Sequence, residues 1–365
     1  MKKTILLIVV INSINFSQFL DKSSRIIPAD KIINYSDNRP SAKFRMNAED
    51  AGIVFKHGMG PDSCDYLGAR DIWVWKFESN YYMHYDGAGP KGWLTCLAVS
   101  KDLQNWVSKG KIIDFGKPGS ADCASSSYGT VYKDGDKWHM FYLGTPNTSG
   151  PPEYVPSFPY LTMKAESNSL FGPWQKKYNI TPFVNEPKTY YSSTASPGCI
   201  IKHGTEYLMF FSAGTDKPIK RTIGIARTKN LDRSWDIYKN PIVPLEEQIE
   251  NSSIYYEEHN KTYFLFTNHV GLNNNREYTD AVWVYWTNDI NHWNAMNKAV
   301  VLDSLNCKWS KIIGLPSVIQ VGKRLAILYD GKSDFGKSVD IKTHINRDIG
   351  LAWLNLPLIP PIKKK

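Results

Sequence analysis

Residues 68–87 read GARDIWVWKFESNYYMHYDG. Two short runs rich in aromatic and apolar residues flank a polar Glu-Ser-Asn turn, and an Asp-Gly pair follows the second run. This composition favours two antiparallel strands joined by a short turn. The stretch therefore predicts a β-hairpin.

Four further copies of this hairpin follow along the chain. They lie at residues 126–142, 196–211, 252–266 and 315–329. When Tyr82, Trp138, Tyr207, Tyr263 and Leu325 are taken as equivalent, the copies are spaced by 56, 69, 56 and 62 residues. We refer to the five units as repeats one to five.

Each hairpin leads into a third alternating run, which in repeats one to four is followed by a turn and a tryptophan. These tryptophans are Trp106, Trp174, Trp235 and Trp293, whereas the run 349–354 of repeat five has no such turn. Tandem meanders of this length are typical of propellers. A row of separate small sheets would leave each sheet with two open edges and too little core. The sequence therefore predicts an all-β fold, a five-bladed β-propeller.

Composition agrees with an all-β chain, because aromatic residues make up 13% and apolar residues at helical spacing are hard to find. The formal net charge of +9 argues only weakly for an acidic partner, since part of it lies at the two ends. The basic residues are scattered and no stacking module accompanies them, so nucleic acid is not expected as a partner.

The five cysteines show no spacing typical of a metal site. They are Cys64, Cys96, Cys123, Cys199 and Cys307. We expect buried free thiols, no metal in the site and no cofactor. A structural calcium ion near the axis is compatible with such a fold, although no ligand cluster in the sequence indicates one.

The first residues predict export. Residues 1–17 contain Lys2 and Lys3, a short apolar run at 5–11 and a polar end. This is the pattern of a secretory signal peptide, and the apolar run is too short to span a bilayer stably. We expect a secreted or periplasmic protein without membrane association, with a lead-in segment at 18–48 and a catalytic propeller at 49–360.

The topology predicts where a site would lie. In an antiparallel meander the start of the first strand, the end of the second and the start of the third meet at one end. Because first strands line the axis of a propeller, their starting residues converge on one mouth. Asp71 of repeat one and Glu250 of repeat four stand there. Two carboxylates facing each other across a mouth can cleave a glycosidic bond, one as base and one as acid.

The repeats, the Arg70-Asp71 start and the openings IGIAR at 223–227 and IGLA at 349–352 resemble the five-bladed propeller glycoside hydrolases, in particular family 43. The resemblance covers most of residues 50–358. It implies hydrolysis with inversion, with Asp71 as general base and Glu250, 179 residues later, as general acid.

The resemblance also implies an aspartate between these two residues that tunes the acid. The corresponding residues 192–198 read SSTASPG and contain no acid. Asp122, ahead of repeat two, is one candidate to supply the missing negative field. Alternatively, His269 at the end of the second strand of repeat four is the acid in place of Glu250.

Further polar residues at the mouth are candidate substrate contacts. These are Arg70, Asp86, His344, Arg347 and Asp348. Asp86 and Asp330 each precede a glycine, so we interpret both as turn residues that at most accept bonds from sugar hydroxyls. Arg347 and Asp348 belong to the stretch Arg347-Asp348-Ile349, whose alternative role is to close the ring by a salt bridge.

Basic residues accumulate at the same face, which predicts an oligosaccharide or polysaccharide substrate with anionic groups such as uronates or sulfates. They are Arg70, Lys91, Lys220, Arg221, Arg276 and Arg347. The loop 145–160, rich in proline and glycine, leaves the second strand of repeat two at the mouth. We expect it to wall one side of the pocket and to favour exo action.

Two other functions remain open at the level of sequence. One is a propeller phosphorylase, in which arginines and a histidine bind inorganic phosphate in place of the attacking water. The other is a catalytically inactive propeller that binds glycans, which the missing acid at 192–198 supports.

Overall fold

The computed structural model describes residues 23–274, 276–333 and 344–361. These residues form β-strands and two short 3-10 turns, Pro61–Ser63 and Leu245–Glu247, and no α-helix occurs among them. The predicted all-β class is confirmed. A search of the same residues for a helix long and apolar enough to cross a membrane finds none. The predicted signal peptide, residues 1–17, lies outside the described residues.

Repeats one to four each form a meander of consecutive antiparallel strands. Repeat one comprises Gly68–Phe77, Asn80–Gly89, Gly92–Ser100 and Trp106–Lys111, and repeat two Ser125–Asp134, Lys137–Thr145, Leu161–Ser167 and Gln175–Lys176. Repeat three comprises Thr194–His203, Glu206–Asp216, Ile219–Thr228 and Asp236–Ile237, and repeat four Ile249–Glu257, Thr262–Asn273, Arg276–Thr287 and Lys298–Leu302. The hairpins read from the sequence are therefore present, each extended by a third and a fourth strand.

Repeat five takes its outer strand from residues that precede repeat one. Its own strands are Ser317–Val321, Arg324–Lys332 and Asp348–Asn355. Strand Glu49–Phe55 pairs antiparallel with Asp348–Asn355, from Ile349 opposite Phe55 to Trp353 opposite Glu49. This pairing covers an edge that would otherwise be open. It also explains why repeat five lacks the turn and tryptophan of the other repeats.

Short strands attach the lead-in and the loops to this framework. Ser24–Arg25 pairs with Leu358–Ile359, and Ile27–Pro28 pairs with Phe44–Arg45, which continues onto Lys298–Leu302. Asn147–Thr148 pairs with Pro156–Ser157 inside the loop 145–160, and Ile312–Ile313 pairs with the end of Arg324–Lys332. The described part of the lead-in therefore packs on repeats four and five.

The apolar core lies between repeats. Separate clusters of buried side chains join repeats one and two, two and three, three and four, and four and five. A further cluster joins repeat five to repeat one, with Ala326 and Leu328 packed among Ile72, Val74 and Met83. Because each sheet buries both faces against its neighbours, no repeat has a core of its own.

A β-bulge interrupts the first strand of repeats one to four near its start. The strand register shifts between Arg70 and Trp73 in repeat one and between Glu250 and Ser253 in repeat four. Asp71, Tyr128 and Asn251 lie in these bulges with φ values of 48°, 39° and 59°. Bulges re-aim side chains and bend a strand end. Here they are found at the mouth that the sequence predicts as the site.

Candidate active site

The mouth contains a cavity of about 630 Å³. Its walls come from all five repeats and from the loop 145–160. The charged and titratable residues that line it are Arg70, Asp71, Asp86, Tyr128, Tyr160, Arg221, Glu250, Arg276, Glu277, Tyr278, His344 and Arg347. The cavity therefore brings together both predicted catalytic carboxylates and four of the five predicted substrate contacts.

Asp71, Tyr128 and Asn251 in the β-bulges are each fixed by a side chain from another repeat. The backbone N–H of Asp71 donates to Asp330 Oδ2 at 2.8 Å, and that of Tyr128 donates to Asp86 Oδ1. The N–H of Asn251 donates to Ser212 Oγ at 2.9 Å. A bulge removes an N–H from the strand ladder, and a buried N–H needs another acceptor. The joints between repeats therefore set the direction in which the mouth residues point.

The interpretation of Asp86 and Asp330 as turn residues is wrong. Asp86 lies inside strand Asn80–Gly89 and Asp330 inside strand Arg324–Lys332, and both are buried. Their carboxylates accept the bulge N–H groups just described. Burial, together with the nearby charge of Asp71, raises the pKa of both carboxyl groups, against the effect of Arg70 on Asp86 and of Arg347 on Asp330.

Asp71 is the most solvent-accessible of the carboxylates that line the cavity. Its side chain is 26% exposed, and its Oδ2 lies 3.2 Å from Arg70 Nε. Arg70 is held in turn against the Trp93 ring, 4.3 Å from its centroid, and 2.7 Å from His344 Nδ1. A carboxylate that is fixed through its own backbone and open to the cavity can accept a proton from a bound water.

Glu250 lies deeper. Its side chain is 22% exposed and its Oε1 lies 3.7 Å from Arg221 Nη1. Burial, opposed by Arg221 and reinforced by the charges of Glu277 and Asp71, raises the pKa of Glu250 to about 7. Glu250 therefore holds its proton in mildly acidic solution and can donate it to a leaving oxygen.

Glu277 was missed by the sequence analysis. Its carboxylate pairs with the buried Arg221, with Oε1 2.6 Å from Nε and Oε2 2.6 Å from Nη2. Arg221 also donates to Thr194 Oγ1 and lies 4.8 Å from the centroid of the Phe158 ring. A signal was present, because Glu277 opens the third strand of repeat four at the end of the meander that forms the mouth.

His344 and Arg347 line the cavity, as predicted. Burial and the neighbouring guanidinium groups of Arg70 and Arg347 hold the pKa of His344 well below its usual range, so its ring is neutral. Arg347 donates to Asp330 and, through Nη2, to Thr279 Oγ1 at 3.0 Å. A neutral ring therefore lines the cavity 2.7 Å from the Arg70 guanidinium.

Asp348 does not line the cavity. Its Oδ1 accepts from the backbone N–H of His57 at 2.9 Å and lies 2.7 Å from His57 Nδ1. Asp348 therefore joins repeat five to the segment that follows strand Glu49–Phe55. Arg347 forms its ion pair with Asp330, so Arg347 and Asp348 take part in separate contacts.

Asp122 and His269 also lie off the cavity. Asp122 is buried in repeat two, where Lys176 at 2.6 Å and Tyr142 at 2.8 Å hold its pKa below the usual range although burial opposes this. His269 is stacked on Trp283, with ring centroids 3.9 Å apart, and its Nδ1 lies 3.1 Å from Asp280 Oδ1. The structure brings neither residue to the position that the sequence analysis considered for it.

One group of residues in the described part of the chain has the spacing of metal ligands. Atoms of His139, Glu166 and Asp232 lie within 4.8 Å of one another. The buried ammonium of Lys164 lies among them, 2.8 Å from Glu166 Oε1 and hydrogen-bonded to Asp232. A lysine therefore supplies the positive charge at this place.

The loop 145–160 forms part of the cavity wall. It contributes Val155, Pro156, Ser157, Phe158 and Tyr160 to the lining. Its short hairpin is tied to repeat two by Thr145, whose Oγ1 donates to the Ser157 carbonyl at 2.6 Å. The predicted position of this loop agrees with the structure.

No family model and no curated protein sequence matches this chain. Solved structures do match its fold. A structure described as a glycoside hydrolase has a TM-score of 0.64 and 15% identity over 87% of this chain and 95% of that one. A thermostable family-43 glycoside hydrolase has a TM-score of 0.58 and 14% identity over 81% and 91%. An endo-arabinase from Bacteroides thetaiotaomicron has a TM-score of 0.54 and 15% identity over 83% and 96%. The resemblance to family 43 predicted from the sequence is therefore confirmed at the level of the fold, which this chain shares with propeller glycoside hydrolases.

Proposed function

We propose that this chain is a glycoside hydrolase that acts with inversion, with Asp71 as general base and Glu250 as general acid. One observation carries the proposal. Asp71, which is fixed through its backbone, and Glu250, whose pKa burial raises to about 7, line the same cavity. Environments that separate the protonation of two carboxyl groups assign the base and the acid.

The reaction follows from these two groups. Asp71 accepts a proton from a water molecule as the water oxygen forms a bond to the anomeric carbon. The bond from that carbon to the leaving oxygen breaks, and Glu250 gives its proton to the departing oxygen. Attack from the face opposite the leaving group inverts the configuration at the anomeric carbon.

We propose that the scaffold of this site is a five-bladed propeller, with each repeat as one blade. The apolar clusters between successive repeats, and the one between repeats five and one, support this arrangement. The pairing of Glu49–Phe55 with Asp348–Asn355 supports closure of the ring within repeat five. Export to the periplasm or beyond belongs to the same proposal and rests on the pattern of residues 1–17.

We propose exo action on an oligosaccharide that carries anionic groups. The wall formed by the loop 145–160 favours a pocket over an open cleft. Four arginines line the cavity, Arg70, Arg221, Arg276 and Arg347, and Arg276 is exposed at its rim. Burial raises the pKa of Asp86, and protonation of Glu250 removes negative charge from the same walls, so a uronate or sulfate group would meet a positive field.

The test is hydrolysis of a panel of neutral, uronate and sulfated oligosaccharides by the purified protein, with product anomers followed by NMR. Asp71→Asn and Glu250→Gln are expected to lose at least about a hundredfold in kcat. Asp136→Asn, in the exposed turn of repeat two, is the matched control and should keep full activity. Retained configuration in the product, or full activity in Asp71→Asn, would contradict the assignment.

Three further comparisons test the reaction type, exo action and the preference for anionic substrates. Turnover that requires inorganic phosphate would show that the reaction is phosphorolysis and not hydrolysis. Removal of residues 150–153 from the tip of the loop should broaden the range of chain lengths accepted, and an unchanged preference would show that the loop does not set exo action. Equal turnover of neutral and anionic substrates would exclude a role for the arginines in selecting charge.

A further inference from the structure

Arg221 lies close to two glutamates, Glu277 and Glu250, but forms hydrogen bonds with only one of them. Its Nε and Nη2 donate to the two oxygens of Glu277 at 2.6 Å each, and its Nη1 donates to Thr194 Oγ1. Glu250 is 3.7 Å from Nη1, beyond hydrogen-bond distance. The guanidinium therefore donates its hydrogen bonds to Glu277 and Thr194 and none to Glu250.

This geometry has an electrostatic consequence. A buried guanidinium at 3.7 Å would by itself favour the ionised form of Glu250, and an ionised Glu250 cannot donate a proton. The ion pair with Glu277 offsets part of that attraction, because two short hydrogen bonds hold a negative charge against the guanidinium. The negative charge of Glu277 also repels a second negative charge on Glu250.

We propose that Glu277 is a positioning residue that keeps Glu250 protonated, by neutralising Arg221 and by its own negative charge. It would thereby do the work of the acid that is absent from residues 192–198. The inference rests on the proposed function, in which Glu250 is the general acid.

The other charged and titratable groups around Glu250 are compatible with this role. Those that interact with it are Arg70, Asp71, Tyr128, Tyr160, Arg221 and Glu277. The tyrosines are neutral, because burial raises the pKa of both. Asp71 acts in the same direction as Glu277, whereas Arg70 and Arg221 oppose it. Glu277 therefore offsets the nearer of the two cations.

The test is the pH dependence of kcat/KM in Glu277→Gln. The alkaline limb of this profile reports the pKa of the general acid in the enzyme without substrate. It should move down by about one pH unit, which is a tenfold loss of kcat/KM above pH 7. Activity at pH 5 should stay close to that of the wild type. A substrate with an activated phenol as leaving group needs little help from an acid, so its hydrolysis should hardly change. Glu246→Gln is the matched control, since Glu246 pairs with the neighbouring Lys220 and does not line the cavity.

A structural role for Glu277 predicts a different pattern. It would lower activity equally at all pH values and for both kinds of substrate, and that result would overturn the inference. Glu277→Asp keeps the negative charge, so the alkaline limb of its kcat/KM profile should lie at the wild-type pH. The double variant Glu277→Gln/Arg221→Gln removes both charges and should return the limb to the wild-type position, which keeps the inference testable if Glu277→Gln alone does not fold.

A direct titration separates this inference from the proposed function. The carboxyl of Glu250 can be followed by infrared difference spectra between the chain and its Glu250→Gln variant. Its midpoint should fall by about one pH unit in Glu277→Gln whether or not any substrate has been found. An unchanged midpoint would refute the role of Glu277, whereas absence of hydrolysis by the wild type would refute only the proposed function.

Discussion

Asp330 contributes both to the stability of the fold and to the geometry of the candidate site, and the variant Asp330→Asn tests both contributions. Its Oδ2 accepts the backbone N–H of Asp71 at 2.8 Å, and its Oδ1 accepts from Arg347 Nη1. The residue is fully buried. An asparagine has the same shape but only one acceptor oxygen. Either the Asp71 N–H or the Arg347 guanidinium then faces an amide NH₂ group.

The expected loss can be estimated from these contacts. Breaking a buried ion pair by removal of one partner costs about 3–5 kcal/mol. Arg347 keeps its bond to Thr279 Oγ1, so we expect the lower figure, about 3 kcal/mol, in the free energy of unfolding. Where the asparagine NH₂ group faces the Asp71 N–H, the bulge at Asp71, with its φ of 48°, loses its acceptor and its carboxylate is no longer fixed. A misplacement of about 1 Å costs on the order of a hundredfold in rate, and we expect kcat to fall by about 10–100-fold.

Urea unfolding followed by tryptophan fluorescence measures the first effect, and kcat per folded molecule measures the second. Asp303→Asn is the matched control, because Asp303 is also buried and pairs with Arg45 at 2.7 and 3.0 Å, away from the cavity. It should lower the free energy of unfolding by a similar amount and leave kcat unchanged. Equal kcat values for the two variants would refute the argument that Asp330 positions the base.

Four other outcomes are expected. Glu250 in the folded chain keeps its proton up to about pH 7, against a reference value of 4.5, so wild-type kcat/KM should fall about tenfold per pH unit above 7. The stability that Glu250 contributes is complete below pH 4.5 and is lost as the pH rises through 7, so Glu250→Gln should gain about 2 kcal/mol relative to the wild type at pH 8 but not at pH 4, as urea unfolding would show. Lys164→Met removes a fully buried ammonium from Glu166 and Asp232, and should cost about 3 kcal/mol in the same assay without change in kcat. Removal of residues 1–55 takes away strand Glu49–Phe55 and opens the edge of repeat five, so size-exclusion chromatography should show aggregates where the full chain gives one peak.

The strands and the two candidate catalytic residues, Asp71 and Glu250, could be predicted because the sequence patterns that indicate them are local. Alternation of apolar residues marks the hairpins, and the place of Asp71 and Glu250 near the start of their first strands follows from the repeat alone. The interpretation of Asp86-Gly87 failed for a physical reason. A Cβ at Gly87 would lie 2.5 Å from the Cys64 carbonyl oxygen and from Cys96 Sγ. The glycine thus serves close packing inside a strand, where the sequence pattern indicates a turn.

His269 illustrates a second limit. Alternation tells which side of a strand a residue faces only as long as the register is kept. In repeat four the pairing of the second and third strands shifts between His269 and Val270. The neighbouring Asn268 and Val270 both line the cavity, whereas His269 stacks on Trp283 behind it. A bulge of this kind has no reliable local signature, so the sequence alone could not place this side chain.

The residues that the sequence did not reveal share one property, which is that their partners come from another repeat. Glu277 of repeat four acts through Arg221 of repeat three, and Asp330 of repeat five holds Asp71 of repeat one. Strained backbone persists only where the surroundings fix it, and at Asp71, Tyr128 and Asn251 these surroundings include a side chain of another repeat. The geometry of the candidate site therefore depends on contacts between repeats. A single repeat, however regular, contains the candidate side chain but not the acceptor that directs it.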